Sequence, residues 1–72
     1  MPDRVMYVKP NCPYCEEARA SLRADGLEWE ERDATSRADW KAELMRHSKK
    51  TGMVPTIVIG DQVVTVGWKG GG

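Results

Sequence analysis

Phenylalanine is missing from this 72-residue sequence, histidine occurs once and cysteine twice. Neither sign of charge is in excess, because 11 Lys and Arg are matched by 11 Asp and Glu. Each shortage excludes something. Zero net charge argues against nucleic acid or an anionic membrane as a general electrostatic partner. No apolar run approaches the roughly 18 residues of a membrane-spanning helix. No basic-then-apolar leader opens the sequence, which points to a cytoplasmic protein. A secreted, disulfide-stapled miniprotein carries more cysteines than this. A chain this short buries only about 60% of the surface its unfolded form exposes, so its core is thin and a two-domain enzyme is excluded.

The two cysteines, Cys12 and Cys15, lie three positions apart. A bridge between them would close a tiny loop and remove little unfolded-state entropy. The pair is poor scaffolding and calls for a chemical explanation.

Around it the pattern reads as one α/β domain. Arg4 to Val8 is a short apolar run of strand formers. Pro10 and Asn11 break it. From Pro13 the period changes: Cys15, Ala18 and Leu22 fall on one helical stripe, and proline is tolerated in a first helical turn. Gly26 is the expected stop. Leu27 to Asp33 begins with alternation and reads as a second strand. Ser36 is the expected N-cap of a second helix carrying Trp40, Leu44 and His47, with Asp39 in its first turn and Gly52 ending it. Periodicity alone gives that helix no chemistry; Trp29 and Trp40 read as core and His47 as a surface or edge residue. Pro55 to Ile59 is the strongest strand, Gly60-Asp61 a two-residue hairpin turn, and Gln62 to Val66 the return strand. The expected order is βαβαββ, with a parallel first pair, an antiparallel hairpin and a four-stranded mixed sheet. Residues 1–66 form the expected domain and residues 67–72 a glycine-rich tail, so a C-terminal helix is short or missing.

Placement makes Cys12 the candidate nucleophile. It sits where a buried strand meets a helix N-terminus, whose free N–H groups and dipole favour a thiolate. Lys9 adds a nearby positive charge. Glu16 and Glu17 oppose it, but helix geometry aims them away, and Arg19 can pair with Glu16. Cys15, one turn in on the sheet-facing stripe, is the candidate resolving thiol. Pro13 and Tyr14 shape the turn. Competing readings are half a zinc site with His47 as the remaining ligand, a pair of inert core cysteines, or an iron–sulfur ligand pair shared across a dimer. Val54-Pro55 is a second feature, either an ordinary strand start or a cis bond that turns the Val54 backbone toward a docked chain.

Lys9-Pro-Asn-Cys-Pro-Tyr-Cys15, the βαβαββ order and Gly52-Met-Val-Pro-Thr56 together resemble the glutaredoxin family of the thioredoxin fold. The resemblance implies a dithiol–disulfide oxidoreductase with Cys12 as nucleophile, Cys15 as resolving thiol and a cis Pro55. It implies no bound cofactor or metal, with glutathione as co-substrate. Lys9 and the Val54 backbone would contact its glycyl carboxylate and cysteinyl backbone, and Tyr14, Gly67 and Trp68 are further candidate contacts. Partners are then disulfide-containing proteins and either glutathione or thioredoxin reductase, with a monomer expected and a dimer as the alternative. Met53 stands where glutaredoxins usually carry Thr. Gly67-Trp68-Lys69 is similar to the Gly-Phe-Arg of NrdH-redoxins, which thioredoxin reductase reduces. Trp68 has two readings, lining the site or covering the sheet. A metal- or cluster-binding module on the same thiols is the reading from another class, which Pro13 disfavours.

Overall fold

The structure, a computed structural model, describes residues 3–68. Its elements run β1 (Arg4–Val8), α1 (Pro13–Ala24), β2 (Glu30–Asp33), α2 (Ala38–His47), β3 (Thr56–Ile59) and β4 (Gln62–Val66). The four strands form one mixed sheet in the order β2-β1-β3-β4. β1 runs parallel to β2 and antiparallel to β3, and β3 and β4 form the antiparallel hairpin. This is the expected order and sheet. Among the described residues no helix follows β4.

Adjacent residues of a strand point to opposite faces, and the ion pairs of β2 use that to fix the layers. Glu31 accepts from Arg19 of α1, while its neighbour Arg32 donates to Glu43 of α2. α1 therefore covers one face of the sheet and α2 the other. Met6 lies opposite Glu31 and Ile57, on the α1 face. Tyr7 lies opposite Arg32 and Thr56, on the α2 face, where its hydroxyl donates to Glu43 at 2.7 Å. The core forms on both sides of β1 and β3, with Met6, Cys15, Ala18 and Leu44 almost fully enclosed.

The end of α1 shows why Gly26 stops it. Gly26 has φ of 70°, which costs a glycine little. Its N–H donates to Arg23 O and the Leu27 N–H to Leu22 O, the paired bonds of a Schellman cap. Leu27 is consumed by that cap, so β2 begins at Glu30 and not at Leu27. Pro55 likewise stands before β3, which begins at Thr56.

Ser36 is not the N-cap of α2. Its hydroxyl donates backward to Asp33 O, and Asp33 Oδ1 accepts from both the amide and the hydroxyl of Thr35. That local turn uses up the capping side chains, and Arg37 takes the N-cap position without a side-chain capping bond, its guanidinium donating to Asp39 instead. The helix also ends earlier than expected, at His47. Ser48 caps it, and Lys49 and Lys50 both adopt positive φ on the way to Gly52. Trp29 packs against the core. Trp40 does not join it and is half-buried, with the Arg37 guanidinium 4.8 Å from its ring. His47 lies beside Tyr7, with ring centroids 5.8 Å apart.

β4 carries a bulge. Ile57 pairs with Thr65 but Val58 pairs with Val63, which leaves Val64 as the extra residue. Val63, Val64 and Val66 remain exposed.

Two measurements test this core. Leu44, 1% exposed, anchors α2, and Leu44→Ala should lower unfolding stability by roughly 2–5 kcal/mol in urea titration. The second concerns alkali. Burial, followed by the bond to Glu43, pushes the Tyr7 hydroxyl from 10.0 up to about 12. Burial, followed by the bond with Cys12, pushes the Cys15 thiol from 9.0 up to about 12. Above an unfolded-state pKa, the unfolded chain releases a proton that the native chain keeps. Stability therefore falls as pH rises from 9 toward 12, by up to about 1.4 kcal/mol per pH unit for each group. Cys15→Ala should flatten the curve between pH 9 and 10, where Cys15 contributes more than Tyr7. An unchanged slope there would contradict the assignment.

Candidate active site

The site forms where β1 hands over to α1. Asn11, at φ 55°, turns the chain after Pro10. Cys12 follows in extended conformation as the N-cap, and Pro13 opens the helix. The Glu16 amide donates to Cys12 O at 3.2 Å, which sets the first helical turn. The orphan amide of Cys15 donates to Cys12 Sγ, also at 3.2 Å. A sulfur thus fills the acceptor role usually taken by Ser, Thr, Asn or Asp. Any negative charge on Sγ faces this amide and the positive end of the helix dipole.

The two thiols are free and unlike each other. Cys12 is partly exposed, whereas Cys15 is fully enclosed. Burial is the main reason the Cys15 thiol is held protonated, and its bond with the Cys12 sulfur adds to it. The arrangement offers one accessible sulfur backed by an enclosed thiol one helical turn away.

The Val54-Pro55 peptide is cis. Val54 O lies 4.0 Å from Cys12 Sγ, at the distance of a weak S–H contact. The Gly67 amide donates to Pro55 O at 2.9 Å, tying the end of β4 to this loop. Gly67 is buried, and its φ of 77° suits glycine. Trp68 is half-buried against the core, and its indole N–H is enclosed without an acceptor among the described residues. Lys69 lies outside those residues. Tyr14 stands exposed on the rim.

Lys9 Nζ donates to Gly52 O at 3.2 Å, across the gap between the β1–α1 and α2–β3 connections. From there it borders two grooves. One, of about 420 Å³, runs past Cys12 to Glu16 and Arg19. The other, of about 470 Å³, brings Lys9 together with Arg37 and Lys41 of the α2 start, and no acidic side chain lines it. Sequence reasoning missed Arg37 and Lys41. Their spacing of four residues marks one helix face, but only the fold carries that face to Lys9.

The expected Glu16–Arg19 pair forms, and Arg19 also holds Glu31. His47 lies on the α2 face of the sheet beside Tyr7, opposite the face that α1 covers. It is thus placed away from the cysteines, so the zinc reading loses its third ligand. Among the described residues no group of three or more His, Cys, Asp or Glu could hold a metal ion. No helix among them is long and apolar enough to cross a membrane.

Comparison with known proteins agrees with this geometry. The glutaredoxin family model matches residues 5–64. A glutaredoxin of Pseudomonas aeruginosa is 36% identical over 61 residues, covering 85% of this chain and 71% of the relative. Glutaredoxin 3 of Escherichia coli K12 is 35% identical over 57 residues, covering 79% of this chain and 68% of the relative. The solution structure of a glutaredoxin from Brucella melitensis superposes with a TM-score of 0.72 at 36% identity, over 92% of this chain and 71% of that one. The fold is thioredoxin-like, and the chain belongs to the glutaredoxin family, whose members are thiol–disulfide oxidoreductases.

Proposed function

We propose that the protein reduces protein disulfides and glutathione mixed disulfides, with Cys12 attacking and Cys15 resolving. The unequal burial of the two thiols about one sulfur-capped helix start carries this reading. Cys12 thiolate attacks one sulfur of the substrate disulfide, and the other sulfur leaves as a thiolate that takes a proton from water. The Cys15 thiol then gives up its proton, and its sulfur attacks Cys12 Sγ. The second substrate sulfur leaves with the bonding pair, and the protein is left oxidised as the Cys12–Cys15 disulfide. Two electrons have passed from the dithiol to the substrate.

Glutathione is the proposed reductant. Its glycyl carboxylate suits the groove of Lys9, Arg37 and Lys41, whose lining carries no acidic side chain, although Arg37 is also held by Asp39 at 2.9 Å. The Val54 backbone, near Cys12 Sγ, suits strand-like pairing with its cysteinyl residue. Pro13 and Pro55 hold the turn and the loop that frame the sulfur, and Tyr14 gives the rim an exposed aromatic surface. A cytoplasmic location fits, since a reducing compartment keeps such a dithiol in its working form.

One observation favours a second reading. Gly67 is bonded to the Pro55 loop and Trp68 packs beside it, in the segment similar to NrdH-redoxins. Thioredoxin reductase would then be the electron source.

Side-by-side coupled assays decide between the two. Turnover with glutathione and glutathione reductase supports the first reading. Turnover with thioredoxin reductase alone supports the second, and none with either removes both. Cys12→Ser should abolish activity, while Cys15→Ser should stop protein-disulfide reduction yet spare glutathione exchange. Lys41→Glu should raise KM for a glutathione mixed disulfide roughly tenfold, equivalent to about 1.4 kcal/mol of binding, with little change in kcat.

A further inference from the structure

Arg19 has no role in the reaction as described, yet its placement is unusual for a surface arginine. It follows Cys15 by four residues on α1, so the two side chains share one helix face. Its side chain is only 18% exposed. Glu31 of β2 grips the guanidinium at two atoms, at 2.6 and 3.1 Å, and Glu16 holds it from the preceding turn. It also lines the groove that runs past Cys12.

The resolving step makes a demand at this place. Cys15 is fully enclosed, and its sulfur must carry negative charge as it attacks. Few groups face it. Cys12 is the other sulfur, and the Lys9 backbone reaches it from the β1–α1 connection. From the α2–β3 connection the site presents the apolar Val54. Arg19, four residues on along the same helix face, brings a positive charge to this side of Cys15. Glu31 and Glu16 stand behind it, and in its absence Glu31 would keep only the longer bond from Trp29 Nε1 and the charge of Arg23.

We propose that Arg19 is a positioning residue for the resolving step, its clamped positive charge easing the ionisation of Cys15, with Glu31 moderating that charge. The proposal rests on the reading in which Cys12 attacks and Cys15 resolves. A plain structural strut between α1 and β2 would use the same ion pair. The two roles differ in sign. Arg19→Gln and Glu31→Gln both break the strut. Only Arg19→Gln removes the cation, whereas Glu31→Gln leaves the cation less neutralised.

The test mixes the reduced full-length chain with a nitrobenzoate disulfide in a stopped-flow instrument. The first coloured thiolate is released when Cys12 forms the mixed disulfide, and the second when the Cys15 sulfur displaces it from Cys12. Both phases are followed from pH 6 to 10, below the raised pKa of Cys15, where the rate of the second phase rises with its thiolate fraction. Arg19→Gln should move the pH profile of the second phase upward by roughly one unit, slowing it roughly tenfold at neutral pH. Glu31→Gln should move that profile downward. An unmoved profile in Arg19→Gln, or an unmoved or upward-moved profile in Glu31→Gln, overturns the proposal. If Arg19→Gln does not fold, Glu31→Gln decides alone: a downward move supports the proposal, and no move or an upward move overturns it. Cys12→Ser separates this result from the parent reading, since a first phase that survives in that variant means the nucleophile itself is misassigned.

Discussion

One hydrogen bond organises this molecule: the Cys15 amide to Cys12 Sγ. A helix start leaves amides without partners, and something must accept from them. Here the acceptor is the reactive atom. The bond fixes the rotamer of Cys12, places Sγ at the mouth of α1 and sets Cys15 one turn behind it. The rest of the fold maintains that relation. β1 delivers the chain to Asn11, α1 buries Cys15 against the sheet, and the Val54-Pro55 loop closes on the other side of the sulfur. Strength is not what the bond supplies, since sulfur is a weak acceptor. It supplies direction at the point where charge collects.

The two faces of the sheet serve different ends. On the α1 face, Met6, Cys15 and Ala18 make a dry environment that keeps the second thiol protonated. On the α2 face, a polar knot of Tyr7, Arg32, Glu30 and Glu43 holds the helix in place. Arg32 donates to both carboxylates, and the Tyr7 hydroxyl shares Glu43 Oε1 with it. Partly buried charges of this kind bring geometric definition more than net stability. That definition matters, because α2 contributes Arg37 and Lys41 to the groove beside Lys9.

Much of this was legible in the residues. The stripe of Cys15, Ala18 and Leu22 announced which side of α1 faces inward, and all three are buried. The cysteine spacing and Val54-Pro55 marked the site, because both depend on short-range chain geometry. What stayed hidden was decided by competition or by distance. Ser36 has a capping hydroxyl, but Asp33 and Thr35 form a tighter local turn that claims it. Trp40 sits at helical spacing with Leu44, yet arginines on either side shield it at the surface. The bidentate hold of Glu31 on Arg19 joins residues twelve apart, whose meeting only the βαβ crossover brings about.

The extra residue in β4 has a consequence of its own. β4 is the outer strand of its side of the sheet, and it shows Val63, Val64 and Val66 to solvent. A flat edge of that composition is a template for strand-to-strand aggregation. Inserting Val64 without a partner breaks the two-residue repeat midway along the strand and increases its local twist. An incoming strand finds correct register with one half of the edge only. The bulge thereby works against strand pairing along this apolar border.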